Sequence, residues 1–152
     1  MKKFQFRLQS LLKYKRHLEQ VAKQSMAQSV ADLLACEQHI TELQNDRITA
    51  TDQLDALVEK GMGAGQFNRY RQFITAVDQM IMLEHTRKTE LEKILDDKRK
   101  ALKQRTIEKK ALERLREKQA REYTHKMLRE EQKNLDEITS LRTARKVNNE
   151  RI

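Results

Sequence analysis

No proline interrupts the 152-residue chain, and its only three glycines are confined to Gly61, Gly63 and Gly65. Proline costs a helix interior about 3 kcal/mol and glycine about 1 kcal/mol relative to alanine, so the sequence on either side of this short segment lacks the strongest helix breakers. It also lacks the turn signals that an all-β chain needs about every ten residues. Both flanks are rich in Ala, Leu, Glu, Lys, Gln and Arg, which favour helix. The chain therefore reads as all-α, with one long helix before the glycines and another after them.

Charged residues make up 36% of the chain and aromatic residues 5%. That supplies enough apolar surface for a stripe along a helix and too little for the interior of a compact domain of this length. High charge is also a signature of disorder, but here the apolar residues are periodic. Steps of three and four pass through Phe4, Leu8, Leu11, Lys15, Leu18, Ala22, Ser25, Ser29, Leu33, Cys36, Ile40, Leu43, Arg47, Ala50, Leu54 and Leu57, the pattern of a coiled-coil seam. Its one irregularity is the double step of four from Ser25 through Ser29 to Leu33, a stutter that would locally unwind the supercoil. A second and more polar seam passes through Tyr70, Ile74, Val77, Ile81, Leu91, Leu95, Leu102, Leu112 and Leu115, interrupted at Glu84, Lys88, Lys98 and Arg105.

A short connector between two seams implies antiparallel neighbours. The expected fold is a long antiparallel two-helix coiled coil, a helical hairpin that forms one unit over residues 1–152. Helix is expected over residues 4–60, a turn over 61–66 and a second helix over 67–143. Lys60 suits the negative end of the first helix and Gly61 suits its left-handed cap. Counted from the middle of the glycine segment, residue i should lie opposite residue 127 minus i. This pairs Cys36 with Leu91, Leu54 with Phe73 and Phe4 with about Tyr123. From residue 124 onward the second helix should overhang, with Leu128, Leu135, Ile138 and Leu141 giving it a partly apolar face that calls for a partner.

The net charge of +9 conceals an asymmetry. Met1 to Lys23 holds seven basic residues and one acid, Gln24 to Lys60 two basic residues and seven acids, and Ala101 to Ile152 fifteen basic residues and nine acids. The open end of the hairpin should be positive and the first-helix side of its closed end negative. A basic chain invites a nucleic-acid reading, but acids are interleaved with the bases throughout Glu108 to Glu137, and Tyr123 is the only aromatic there that could stack on a base.

The sequence assembles no catalytic constellation, so an enzyme is not expected. His17, His39, His85 and His125 lie far apart, with no second His or Cys at the i, i+4 spacing of a helical metal site, and the glycine segment lacks the Gly-Lys-Ser/Thr of a phosphate-binding loop. No metal or cofactor is expected. The single Cys36 occupies a seam slot, where it acts as a small apolar filler, and one cysteine suits a reducing compartment such as the cytosol. Arg7, Gln9 and Lys13 interrupt what would be the apolar core of a signal peptide, and no apolar run approaches the roughly 18 residues of a membrane span. One cluster resists a purely structural reading. Phe67, Tyr70, Phe73, Met80 and Met82 follow the turn closely, and Phe73 and Met80 fall beside the seam instead of in it, as expected of a docking surface.

Four motifs, in order along nearly the whole chain, resemble a known family. Phe4-x-Phe6-Arg7-Leu8-x-x-Leu11-Leu12 stands at the start and Tyr70-Arg71-x-Phe73 after the glycines. Glu113-x-Leu115-Arg116-Glu117-Lys118-Gln119 and Asp136-Glu137-Ile138 follow. Together they resemble FliJ, the coiled-coil component of the bacterial flagellar type III protein export apparatus, which serves flagellum biogenesis and motility. The resemblance implies a non-enzymatic stalk seated in the ring of the hexameric flagellar export ATPase. It implies further contact with the cytoplasmic domain of the membrane export-gate protein and escort of export chaperones. The protein would be cytoplasmic and held at the inner membrane through the apparatus. Carried over by motif, the export-gate contact falls on Phe73, Val77, Met80 and Glu84. The ATPase-ring contact is assigned to the positive open end, at Lys2, Lys3, Arg7, Lys13, Lys15, Arg16, Arg114, Arg116, Lys118 and Arg121. Two alternatives share the composition: the equivalent stalk of a virulence injectisome, and a basic coiled coil that binds nucleic acid.

Overall fold

The computed structural model of the chain describes residues 3–149. Two helices, α1 (Gln9–Lys60, 52 residues) and α2 (Ala64–Asn149, 86 residues), pack against each other as a helical hairpin. The described residues contain no strand. Two compact units divide the chain, and both helices contribute to each. One unit takes the chain up to His17 together with everything from Thr106 onward, and the other is Leu18–Arg105.

In Leu18–Arg105 the buried side chains of α1 are Glu19, Ser29, Cys36, Ile40, Leu43, Ala50 and Leu54, and those of α2 are Val77 and Leu95. Burying a side chain such as Leu54 or Ile40 contributes about 1.5–3 kcal/mol, so this stripe is the chief source of cohesion in the unit. From Ser29 to Leu54 every buried α1 residue is an expected seam slot. Upstream the seam takes other residues than expected. Glu19 is buried where Leu18 was the expected slot, and Met26 is half-buried alongside Ser25. Within this unit the run Glu19, Ala22, Met26, Ser29, Leu33, Cys36 alternates threes and fours without a break, so the expected stutter is absent. Supercoil continuity outweighs the gain from one leucine, because the Glu19 carboxylate is held by Lys23 at 2.8 Å. Ser29 is buried on α1, and Lys98, Leu102 and Arg105 are half-buried on α2.

The turn is tighter than expected. Only Gly61, Met62 and Gly63 are non-helical, and α2 resumes at Ala64 instead of at residue 67. Gly61 adopts φ +82°, and its N–H donates to the Val58 carbonyl at 3.2 Å, while the Gly63 carbonyl accepts from the Phe67 N–H at 3.1 Å. A single left-handed residue therefore ends α1, and the next helix begins three residues later. The midpoint of the reversal moves to Met62, which shortens the pairing. Arg47 pairs with Asp78, and Glu37 with Lys88 at 3.6 Å, both pairs adding to 125 where 127 was expected. The Cys36 sulfur meets Glu84, one heptad nearer the turn than Leu91.

In the other unit α1 starts at Gln9, not at residue 4. A helix would place Phe4 and Phe6 on opposite faces, yet Phe6 is buried and Phe4 stacks on Tyr123, ring centroids 5.8 Å apart. Non-helical backbone lets both rings turn inward, and the Gln9 N–H closes the turn on the Phe6 carbonyl at 3.1 Å. Leu12 is fully buried, while Leu8 and Leu11 stay exposed, so the seam here runs one residue later than expected. Beyond residue 123, α2 continues to Asn149, past the expected end at 143, and every described residue except Met127 is exposed.

Gly61 and Gly65 separate two effects. An added Cβ meets nothing within 4 Å at either position, so conformation alone decides. Gly61→Ala should destabilise the hairpin by about 1–2 kcal/mol, the penalty for a non-glycine in the left-handed region. Gly65→Ala, inside the first turn of α2, should stabilise it by about 0.4–1 kcal/mol. Urea denaturation followed by helical circular dichroism measures both, and equal effects would refute the cap assignment.

Candidate interaction surfaces

The residues of Leu18–Arg105 nearest the turn present an exposed apolar strip. Seam positions Tyr70, Ile74, Val77 and Ile81 face α1, and Phe73 and Met80, one heptad apart, fall just beside them. Phe73 is 50% exposed and Met80 51%. Leu83, 70% exposed, continues the same flank. The sequence reading missed Leu83, although its place three residues after Met80 on a flank of period seven was the available signal. Phe73 borders a shallow groove of about 250 Å3 with Ala50 and Gln53 of α1 and Arg69 and Tyr70 of α2, so α1 contributes to the surface around this ring. The Arg71 guanidinium stands 6.0 Å from the centre of the Phe67 ring.

Two of the four tip residues named from the motif are not surface groups. Val77 is 4% exposed, because it occupies a seam slot and packs toward α1. Glu84 is largely covered. Its carbonyl and Oε2 accept the Cys36 thiol at 3.5 and 3.4 Å, and Oε2 lies 3.7 Å from Arg87. An exposed patch at this end therefore consists of Phe73 and Met80 with Leu83, and excludes Val77.

Burial pushes the Cys36 thiol above its ordinary value, and the Glu84 hydrogen bond and negative charge push it further, against the smaller pull of Arg87 and Lys88. Such a thiol is held protonated and acts as packing. Since the folded chain keeps this proton more tightly than the unfolded one, its contribution is complete below the ordinary thiol value and is lost as pH rises from there through the raised value of the folded chain.

In the other unit the two chain segments bring many basic groups together. Lys3, Arg7 and Lys13 are exposed on the first, and Arg114, Arg116, Lys118 and Arg121 on the second. Arg116 lines one groove of about 410 Å3 with Phe4, Gln5, Phe6 and Gln9, and another of about 390 Å3 with Arg16, Glu113, Glu117 and Ala120. Two of the named bases are engaged within the unit: Lys15 pairs with Glu108 at 2.9 Å and Arg16 with Glu113 at 3.4 Å. They tie the segments together more than they offer charge to a partner. Lys2 lies outside the described residues.

Among the described residues no cluster of His, Cys, Asp and Glu could hold a metal, and no helix is long and apolar enough to cross a membrane. The grooves are shallow.

The family described as "Flagellar FliJ protein" matches residues 4–148. A "Flagellar FliJ protein" of Bacillus subtilis (strain 168) is 25% identical over 138 residues, covering 90% of this chain and 92% of that relative. No solved structure matches the chain.

Two measurements check the surface assignments. Phe73→Ala should cost well under about 1 kcal/mol, as expected of an exposed ring, whereas Leu54→Ala should cost about 2–5 kcal/mol as a buried leucine. Equal losses in melting would move Phe73 into the core. Stability should also fall above pH 9 more steeply in the parent than in Cys36→Ala, and iodoacetamide should label Cys36 only after unfolding.

Proposed function

The chain belongs to the flagellar FliJ family, and on that premise we propose that it works as a stalk in the ring of the flagellar export ATPase, linking it to the export gate and escorting export chaperones. Family membership makes it a component of flagellar protein export of a non-enzymatic kind. The finer roles are the proposal. It includes location in the cytoplasm, attached to the inner membrane through the apparatus.

The observation that carries the reading is the set of exposed bases, Lys3, Arg7, Lys13, Arg114, Arg116, Lys118 and Arg121, gathered in the unit that holds both chain ends. Exposed charge contributes little to folding but much to the rate and orientation of association. A docking function explains why so much like charge is kept together. Phe73, Met80 and Leu83 are a second exposed surface, apolar where the first is basic, and they suit the export-gate contact. The family match favours the flagellar system over an injectisome.

Neutralising these seven bases to glutamine should weaken binding to the purified export ATPase by about tenfold or more and leave helix content unchanged. Phe73→Ala should bind the ATPase normally and lose affinity for the export-gate cytoplasmic domain. Unchanged ATPase binding in the neutralised chain would refute the assignment. A steeply salt-dependent affinity for generic RNA in its place would favour the nucleic-acid alternative.

A further inference from the structure

Past Tyr123 the exposed part of α2 carries a seam of its own. Leu128, Glu131, Leu135, Ile138, Arg142 and Arg145 follow one another at steps of three and four, and all are exposed. The positions flanking this seam are Met127, Asn134 and Leu141 on one side and Gln132, Thr139 and Lys146 on the other. Lys126, Arg129, Glu130, Lys133, Asp136 and Glu137 all fall on the opposite face. Three of the six seam positions are apolar, Leu128, Leu135 and Ile138, and the charged ones are of opposite sign on the two sides of the Leu135–Ile138 pair, acidic Glu131 before it and basic Arg142 and Arg145 after it, the kind of pattern that sets register where a coiled-coil strand meets another helix. The hydroxyls of Thr139, Ser140 and Thr143 are turned back onto their own helix, bonded to carbonyls four residues earlier at 2.8–2.9 Å, and need nothing from a partner.

The order of the six seam residues selects the occupant. Laid antiparallel on a copy of itself, centred between Asp136 and Glu137, the stripe sets Leu135 against Ile138 and Glu131 against Arg142. Each contact occurs twice by symmetry. Leu128 falls under the aliphatic stem of Arg145, and the flanks match Asn134 with Leu141 and Gln132 with Thr139, without a like-charge clash. A parallel pairing would instead stack Glu131 on Glu131, Arg142 on Arg142 and Arg145 on Arg145, each destabilising. We infer that residues 124–149 form an antiparallel self-association site for a second copy of this chain, an isologous contact with a two-fold axis at its centre. The inference does not depend on the proposed stalk role, because it concerns the purified chain alone.

Sedimentation velocity on the full-length chain tests it over a roughly hundredfold range of concentration, since a self-association site must respond to mass action. A reversible monomer–dimer equilibrium is expected. Glu131→Arg alone and Arg142→Glu alone should each weaken it on the order of tenfold or more, because like charges then face each other. The double variant Glu131→Arg with Arg142→Glu should restore it to near the parent value. All these positions are exposed, so the melting temperature of the rest of the chain should not move. A chain that stays monomeric throughout the range, or single reversals without effect, would overturn the inference and leave the stripe to a different protein. Dimers that survive both single reversals but are lost in Phe73→Ala would place the contact elsewhere and overturn it equally.

Discussion

Within each unit, burying a stripe between α1 and α2 is the constraint on which the other features depend. A stripe of period three and four cannot skip a position, so the residues that occupy its slots must be accommodated even when they are polar. Glu19 is the clearest case: it sits where the stripe passes and is held there by Lys23 at 2.8 Å. Elsewhere Lys15 finds Glu108, Arg47 finds Asp78, and Cys36 donates its thiol to Glu84. Ion pairs open to water, such as Arg47–Asp78, contribute about 0–1 kcal/mol each, less than the buried leucines and isoleucines. Their value is specificity, since an apolar stripe alone would tolerate sliding by a heptad.

The turn sets where that pairing begins. One residue at φ +82° stops α1, and a reversal of three residues fixes the two seams relative to each other. A turn two or three residues longer would face Arg47 with a residue other than Asp78. Conformation at a single glycine therefore reaches many residues away through helical geometry.

What lies outside the stripe is where function is expected. The seam takes Tyr70, Ile74, Val77 and Ile81, and Phe73 and Met80 remain exposed outside it, Phe73 beside a groove that α1 helps to line. In the other unit the bases exceed the acids available to pair with them.

Much of this was legible in the residues. Absent proline and clustered glycine imply two long helices, and the three–four spacing from Ser29 to Leu54 marks the residues that are buried. The off-seam position of Phe73 and the filler role of Cys36 were readable for the same reason, because helical periodicity is a local property. Other features depended on tertiary structure. Glu19 displaces Leu18 because supercoil continuity is decided over many turns and not at one residue. Phe4 and Phe6 abandon the helix because both rings gain from reaching α2, which local propensity does not register. Val77 leaves the candidate surface, and Lys15 and Arg16 are drawn into ion pairs, because the other helix determines what a side chain faces. Sequence specified the period of the packing; the partner helix fixed its phase, since burial and pairing are properties of two surfaces in contact.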